Sequence, residues 1–307
     1  MTTVSFVTVD VFTSERFAGN QLAVIPDARG LTDRQMQAIA TEFGYSEVTF
    51  VLPPDDPANT ARVRIFTPTI EVPFAGHPNV GTAFVLGRQS EIFGKLPGDH
   101  LRFEEKAGLV EVALLRQDSV VIGASIVAPQ QLAVGPTIDA ATIAACASLS
   151  PASVSDRCHV PVRISVGLPF AVAEIRDVET LSTARPNVNT FDEANDRYPL
   201  AEDSFSLFLY ARTEHQPWQI RARMFAPLDN VVEDPATGSA CAALGAYLVS
   251  LLPESDAEIE LMIEQGVEMG RRSLIAVTVS KQGGSVDKVS ISGNCVTAMH
   301  GSIELSH

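Results

Sequence analysis

The chain is short of cysteine, of positive charge and of long apolar runs, and each shortage excludes something. Its four cysteines stand at 146, 158, 241 and 295. No two are spaced as C-x-x-C, and four thiols in 307 residues make no disulfide framework. Reduced, mostly buried thiols in a cytoplasmic protein are the expectation. Lys and Arg number 22 against 37 Asp and Glu, a net charge of −15. A chain that acidic repels phosphate backbones and anionic membranes, so neither nucleic acid nor a lipid surface is expected as a partner. It also denies an anionic substrate long-range attraction, so local groups such as backbone N–H must hold one. The longest apolar stretch, 240–249, is about half the ~20 residues of a membrane span. The opening MTTVSFVTVDVF has no basic region, and Asp10 interrupts its apolar run, unlike a secretory signal.

What is present is core material. The composition is 46% hydrophobic and 19% charged, which excludes wholesale disorder. A length of 307 residues suggests two domains at about 150 each. β-branched, alternating segments predict strands over 4–12, 21–25, 47–52, 61–66, 101–105, 108–115 and 120–127. Thr32 and Asp33 predict the cap of a helix running to Phe43, and small residues predict another over 80–86. The stretch 128–131 is the expected boundary. Beyond it come a short helix (138–147), strands over 160–166, 170–175, 204–211 and 219–225, a helix from 236 to about 252, and strands over 274–279, 288–292 and 296–299.

An internal repeat organises these pieces. Arg64-Ile65-Phe66-Thr67-Pro68 recurs as Arg223-Met224-Phe225-Ala226-Pro227. Each copy is followed by a loop and a Gly-rich helix start, first at Gly76-His77-Pro78-Asn79, then at Asp234-Pro235-Ala236-Thr237-Gly238-Ser239. Gly19-Asn20-Gln21-Leu22-Ala23-Val24 likewise echoes Gly167-Leu168-Pro169-Phe170-Ala171-Val172. The fold class expected is α+β: two copies of one domain, each a barrel-like, mostly antiparallel sheet wrapped on a central helix. The helix after Gly238 is apolar on every side, and such a helix is buried on every side.

The N-terminus of a buried helix carries unpaired N–H groups and partial positive charge, and glycine lets a ligand approach the backbone. Two such ends, facing each other across a cleft between the halves, would grip a small carboxylate. Three ionisable groups accompany them: Glu47 at a strand start between Tyr45 and Phe50, His77, and Asp234. Partial burial of Glu47 would raise its pKa toward a value useful for proton transfer. Each also has a plain structural reading: a strand-edge carboxylate, a buried histidine, a helix cap.

These stretches resemble the PhzF family, phenazine-biosynthesis isomerase-like proteins with the diaminopimelate epimerase fold. The resemblance rests on Val9-Asp10-Val11-Phe12-Thr13, Phe17-Ala18-Gly19-Asn20-Gln21, Tyr45-Ser46-Glu47, Arg64-Ile65-Phe66-Thr67-Pro68 with Phe74-Ala75-Gly76-His77-Pro78, the run from Glu233 to Ala240, and Gln265-Gly266 with Gly270-Arg271. It implies two epimerase-like domains, here 1–128 completed by 296–307, and 129–295. It implies an isomerase working by proton transfer without metal or organic cofactor, commonly a homodimer. The phenazine enzyme's substrate is trans-2,3-dihydro-3-hydroxyanthranilate. By resemblance, Glu47 is the general acid/base, His77 and Asp234 stand beside it, and Ser46, Gly76, Gly238 and Ser239 line the same cleft. Diaminopimelate epimerases carry a cysteine at each helix start. Gly76 and Asp234 are expected at those positions here, which excludes two-thiol racemisation. An amino or hydroxy acid epimerase using Glu47 with Asp234, and a non-catalytic ligand-binding protein, are the alternatives.

Overall fold

The computed structural model describes residues 2–200, 203–213 and 216–305. Residues 1, 306 and 307, at the ends of the first expected domain, lie outside the described residues. The chain divides into two compact units, Met1–Val127 with Ser292–His307, and Ala128–Ile291.

Unit 1 contains β1 (Thr2–Val11), β2 (Asn20–Ile25), α1 (Asp33–Phe43), β3 (Glu47–Leu52), β4 (Ala61–Phe66), β5 (Glu71–Val72), α2 (Gly76–Gly87), β6 (His100–Glu105), β7 (Gly108–Gln117) and β8 (Val120–Val127). In unit 2 follow β9 (Ala133–Thr137), α3 (Ala140–Cys146), β10 (Val154–Ser155), β11 (Val162–Ser165), β12 (Pro169–Ile175), α4 (Val178–Thr183), α5 (Val188–Arg197), β13 (Leu207–Thr213), β14 (Gln216–Ala226), β15 (Val231–Asp234), α6 (Gly238–Ser250), β16 (Ala257–Gln265) and β17 (Ser273–Gln282). β18 (Ser285–Leu305) starts in unit 2 and ends in unit 1.

The strands of unit 1 close on themselves. β1 pairs with β2, β2 with β3, β3 with β4, β4 with β6, β6 with β7, β7 with β8, β8 with β18, and β18 with β1. Closure removes sheet edges, and the enclosed space is filled by α2, every residue of which is buried. Glycine makes that fit possible. A Cβ at Gly81 would stand 2.6 Å from Leu22 Cδ2 and 2.8 Å from Val11 Cγ2.

Strand alternation sorts side chains between two layers. In β3, Val48, Phe50 and Leu52 join Met36, Ile39 and Ala40 of α1 in an outer cluster. Thr49 faces the other way, its hydroxyl 2.8 Å from that of Thr82 in α2. Glu47, two residues before Thr49, shares that inner face. The α1 helix is fixed by a capping box between Thr32 and Gln35 and ends at Gly44, whose φ of 62° suits glycine.

Unit 2 repeats the pairing order. β11–β12 is antiparallel, β12–β13 parallel, β13–β14 antiparallel, β14–β15 antiparallel, β14–β16 parallel and β16–β17 antiparallel. Unit 1 runs through the same senses from β1–β2 to β6–β7. The buried α6 takes the place of α2. An outer cluster that includes Ile143, Leu181 and Phe191 covers the sheet with α3, α4 and α5.

Several boundaries differ from the sequence expectations. α2 begins at Gly76, not near 80, and α6 at Gly238, not 236. β5, β9, β10, α4, α5, β15 and β16 have no counterpart among the sequence expectations, and the two last expected strands are one continuous β18.

Candidate active site

Arg64 and Arg223 anchor the loops that enter the two central helices. The Arg64 guanidinium meets Glu71 through Nε at 2.7 Å and Nη2 at 2.8 Å, and Asp33 of α1 through Nη1 at 2.6 Å. These bonds hold the Glu71 carboxyl below the usual carboxylate range. Arg223 grips Glu233 at 2.8 Å through both Nε and Nη2, and its Nη1 donates to Ala184 O at 2.7 Å and Leu181 O at 3.2 Å. A planar, forked cation suits both tasks.

Register makes the repeat exact to the residue. Arg62 pairs with Glu104 and Arg221 with Glu264 in the parallel ladders, so Glu105 and Gln265 hold equivalent places. Ile65 pairs with Val72 and Met224 with Asp234. Glu71-Val72-Pro73 therefore matches Glu233-Asp234-Pro235, and Gly76 matches Gly238. The expected equivalence of Gly76 with Asp234 is corrected: Gly76 is the first residue of α2, whereas Asp234 ends β15, four residues before α6. Unit 1 has Val72 where unit 2 has a carboxylate.

In unit 1, Glu47 opens β3 directly after the half-buried Ser46. His77 is the second residue of α2, directly after the buried Gly76. Its Nε2 is 3.4 Å from Glu47 Oε2, and its Nδ1 is 3.4 Å from Asn20 Nδ2. Burial drives the His77 pKa down to about 3, and a hydrogen bond to the Gln21 backbone opposes that only partly. The imidazole is neutral at physiological pH. No side chain caps α2, whose first N–H groups belong to Gly76 and His77 because Pro78 has none. Asn79 Nδ2 donates to Ala75 O at 3.0 Å, and its buried Oδ1 has no hydrogen-bond partner among the described residues. Beside it, burial pushes the Glu105 carboxyl up to about 8, the Asn79 amide opposing.

In unit 2, Asp234 is buried at the end of β15. Its Oδ2 accepts from Thr237 Oγ1 at 2.5 Å. Gln265 ties both residues together, donating to Asp234 O at 2.7 Å and accepting from Thr237 N at 3.0 Å. Gly238 and the half-buried Ser239 are the first two residues of α6. Cys241 is fully buried and its thiol is pushed up by desolvation, consistent with a core residue. Cys146, Cys241 and Cys295 are buried, and Cys158 is exposed.

In unit 1, Gly76 and His77 open α2 and Glu47 contacts His77; in unit 2, Gly238 and Ser239 open α6 and Asp234 bonds Thr237 just before it. Asn20, Glu105, Thr237 and Gln265 join them without having been singled out for a role. Asn20, Thr237 and Gln265 lie inside the family-like stretches, which is the available signal; Glu105 lies outside them. Among the described residues, no three His, Cys, Asp or Glu side chains are grouped to hold a metal, and no helix is long and apolar enough to cross a membrane.

Residues 9–301 match the family of phenazine biosynthesis-like proteins, PhzC-PhzF. The chain is 37% identical over 309 residues to an uncharacterized isomerase of Mesorhizobium japonicum, covering 99% of each. It is 35% identical over 303 residues to the trans-2,3-dihydro-3-hydroxyanthranilate isomerase of Pseudomonas fluorescens, covering 98% of this chain and 99% of that one. Among solved structures, a Bacillus anthracis phenazine biosynthesis protein of the PhzF family superposes with a TM-score of 0.85 at 24% identity, covering 99% of this chain and 100% of that one. The chain belongs to the PhzF family of phenazine biosynthesis-like proteins and is, like its named relatives, an isomerase.

Proposed function

We propose that the protein isomerises a small unsaturated carboxylate by moving a proton between carbons, with Glu47 as general acid/base and no metal or organic cofactor. The observation that carries this is the contact of Glu47 with a neutral, buried His77 at the uncapped start of α2. Glu47 would take a proton from a carbon next to the unsaturated system and return it elsewhere on the same skeleton. Negative charge spreads through the conjugated system meanwhile, and N–H groups at a helix start stabilise it without having to reorganise. The half-buried place of Glu47 on the inner face of β3 sets its carboxyl against His77 at the start of α2. The assignment of Asp234, Gly238, Ser239 and Ser46 to the same substrate rests on the family resemblance.

The proposed substrate class is supported by the relatives named trans-2,3-dihydro-3-hydroxyanthranilate isomerases, 34–36% identical to this chain. The test is to incubate the protein with that compound in deuterated water and follow label and product by NMR. Product formation with solvent deuterium at one carbon is expected. A Glu47→Gln protein that folds and turns over at the wild-type rate would overturn the role of Glu47.

A further inference from the structure

Gln265 ends β16 with no exposed surface, and its carboxamide uses its full bonding capacity. Nε2 donates to Asp234 O at 2.7 Å and to Thr237 Oγ1 at 3.0 Å. Oε1 accepts from Thr237 N at 3.0 Å and from Cys241 Sγ at 3.8 Å. The opposite amide orientation would set N–H against N–H at Thr237, so the bonds fix the amide as well as its neighbours.

The consequence falls on Thr237. It is the residue preceding α6, where a threonine hydroxyl ordinarily accepts from a backbone N–H of the first turn. This one makes no such cap. Its oxygen accepts from Gln265 Nε2, and its hydrogen goes to Asp234 Oδ2 at 2.5 Å. A directed chain results, from amide to hydroxyl to carboxylate.

Unit 1 supplies an internal control. The register-equivalent places hold Glu105 for Gln265, Ala75 for Thr237 and Val72 for Asp234. Where there is no carboxylate to orient, the hydroxyl and the carboxamide are missing too, although α2 is as buried as α6. The trio therefore serves the carboxylate, because packing of the central helix alone does not require it.

We propose that Gln265 is a positioning residue for the isomerisation: it withdraws the Thr237 hydroxyl from helix capping and so fixes the Asp234 carboxylate. The proposal rests on the reading of Asp234 as a residue of the reaction, and the experiment separates the two. Aspartate-labelled protein gives the Asp234 carboxyl titration by 13C NMR, assigned by its loss in Asp234→Asn. Turnover of trans-2,3-dihydro-3-hydroxyanthranilate is measured on the same samples across pH. In Gln265→Leu the Asp234 titration should move upward as the hydroxyl returns to capping, and kcat should fall about 10- to 100-fold with KM little changed. In Gln265→Glu the new carboxyl can donate only when protonated, and then one hydrogen bond instead of the amide's two, so kcat should recover in part as pH falls and collapse as it rises. The glutamate variant also stands in if the leucine variant does not fold. An Asp234 titration unchanged in the folded leucine variant, or a glutamate variant whose pH profile parallels wild type, overturns the proposal. A wild-type protein that leaves the compound untouched sinks the functional reading instead, and the carboxyl titration still decides the role of Gln265.

Discussion

His77 Nε2 lies 3.4 Å from Glu47 Oε2, and the imidazole is the more buried partner, 6% exposed against 19%. Because burial keeps the ring neutral, it offers Glu47 no countercharge. A protonated histidine there would pin the glutamate as a carboxylate and make it a poor acid. A neutral ring imposes no such charge, which suits general acid/base work. Glu47→Gln should therefore lower kcat by at least about 10³-fold with the fold intact, read by NMR exchange and by circular dichroism.

The pH dependence of stability tests two buried groups of opposite sign. His77 has its folded pKa depressed from 6.5 to about 3, so the unfolded chain binds its proton first. Its contribution is present above 6.5 and lost as pH falls toward 3. Glu105 has its folded pKa raised from 4.5 to about 8, so its contribution is full below 4.5 and lost as pH rises through 8. Each arm has a slope of about 1.4 kcal/mol per pH unit, and the two oppose each other where their windows overlap. Urea titrations should thus show little slope from these groups between 4.5 and 6.5. Glu105→Gln should leave only the acid-side loss and gain stability above pH 7. His77→Gln should leave only the alkaline-side loss.

Most of the strands and both central helices are legible in the sequence, because β-branched alternation and all-round apolar character are strong local signals. β16 is not, although residues 257–265 alternate: its glutamates, leucine and methionine are good helix formers, and its exposed face is acidic. α5 is hidden because only Phe191 and Ala194 of its ten residues are buried. β18 reads as two strands because Gly293 and Asn294 interrupt it. Of the candidate site, Glu47, His77 and Asp234 stand out through motifs. The equivalence of Glu105 with Gln265 does not, since it depends on the register of parallel pairs that no local pattern encodes.

The two anchoring arginines should differ in cost. Arg223 is 2% exposed and satisfies Glu233 together with carbonyls at the end of α4. Removing it strands a partly buried carboxylate, so Arg223→Met should cost about 3–5 kcal/mol in urea unfolding. Arg64 is 20% exposed and Glu71 keeps Lys106 at 2.7 Å. Arg64→Met should cost less, about 1–2 kcal/mol, because water and the lysine compensate.

Two glycine substitutions separate packing against side chains from packing against backbone. At Gly81 a Cβ meets the methyl groups of Leu22 and Val11, which can change rotamer. Gly81→Ala should therefore cost about 1–3 kcal/mol, the range for overpacking a core. At Gly123 in β8 the Cβ would stand 2.1 Å from the Gly293 carbonyl oxygen and 2.8 Å from Asn294 Cα. Backbone in a ladder cannot step aside without breaking the β8–β18 pairing that closes the barrel of unit 1. Gly123→Ala should accordingly destabilise more than Gly81→Ala and remove amide-exchange protection along β8 and residues 292–297. Equal costs for the two variants would mean that the β8–β18 contact is looser than the glycine pair requires.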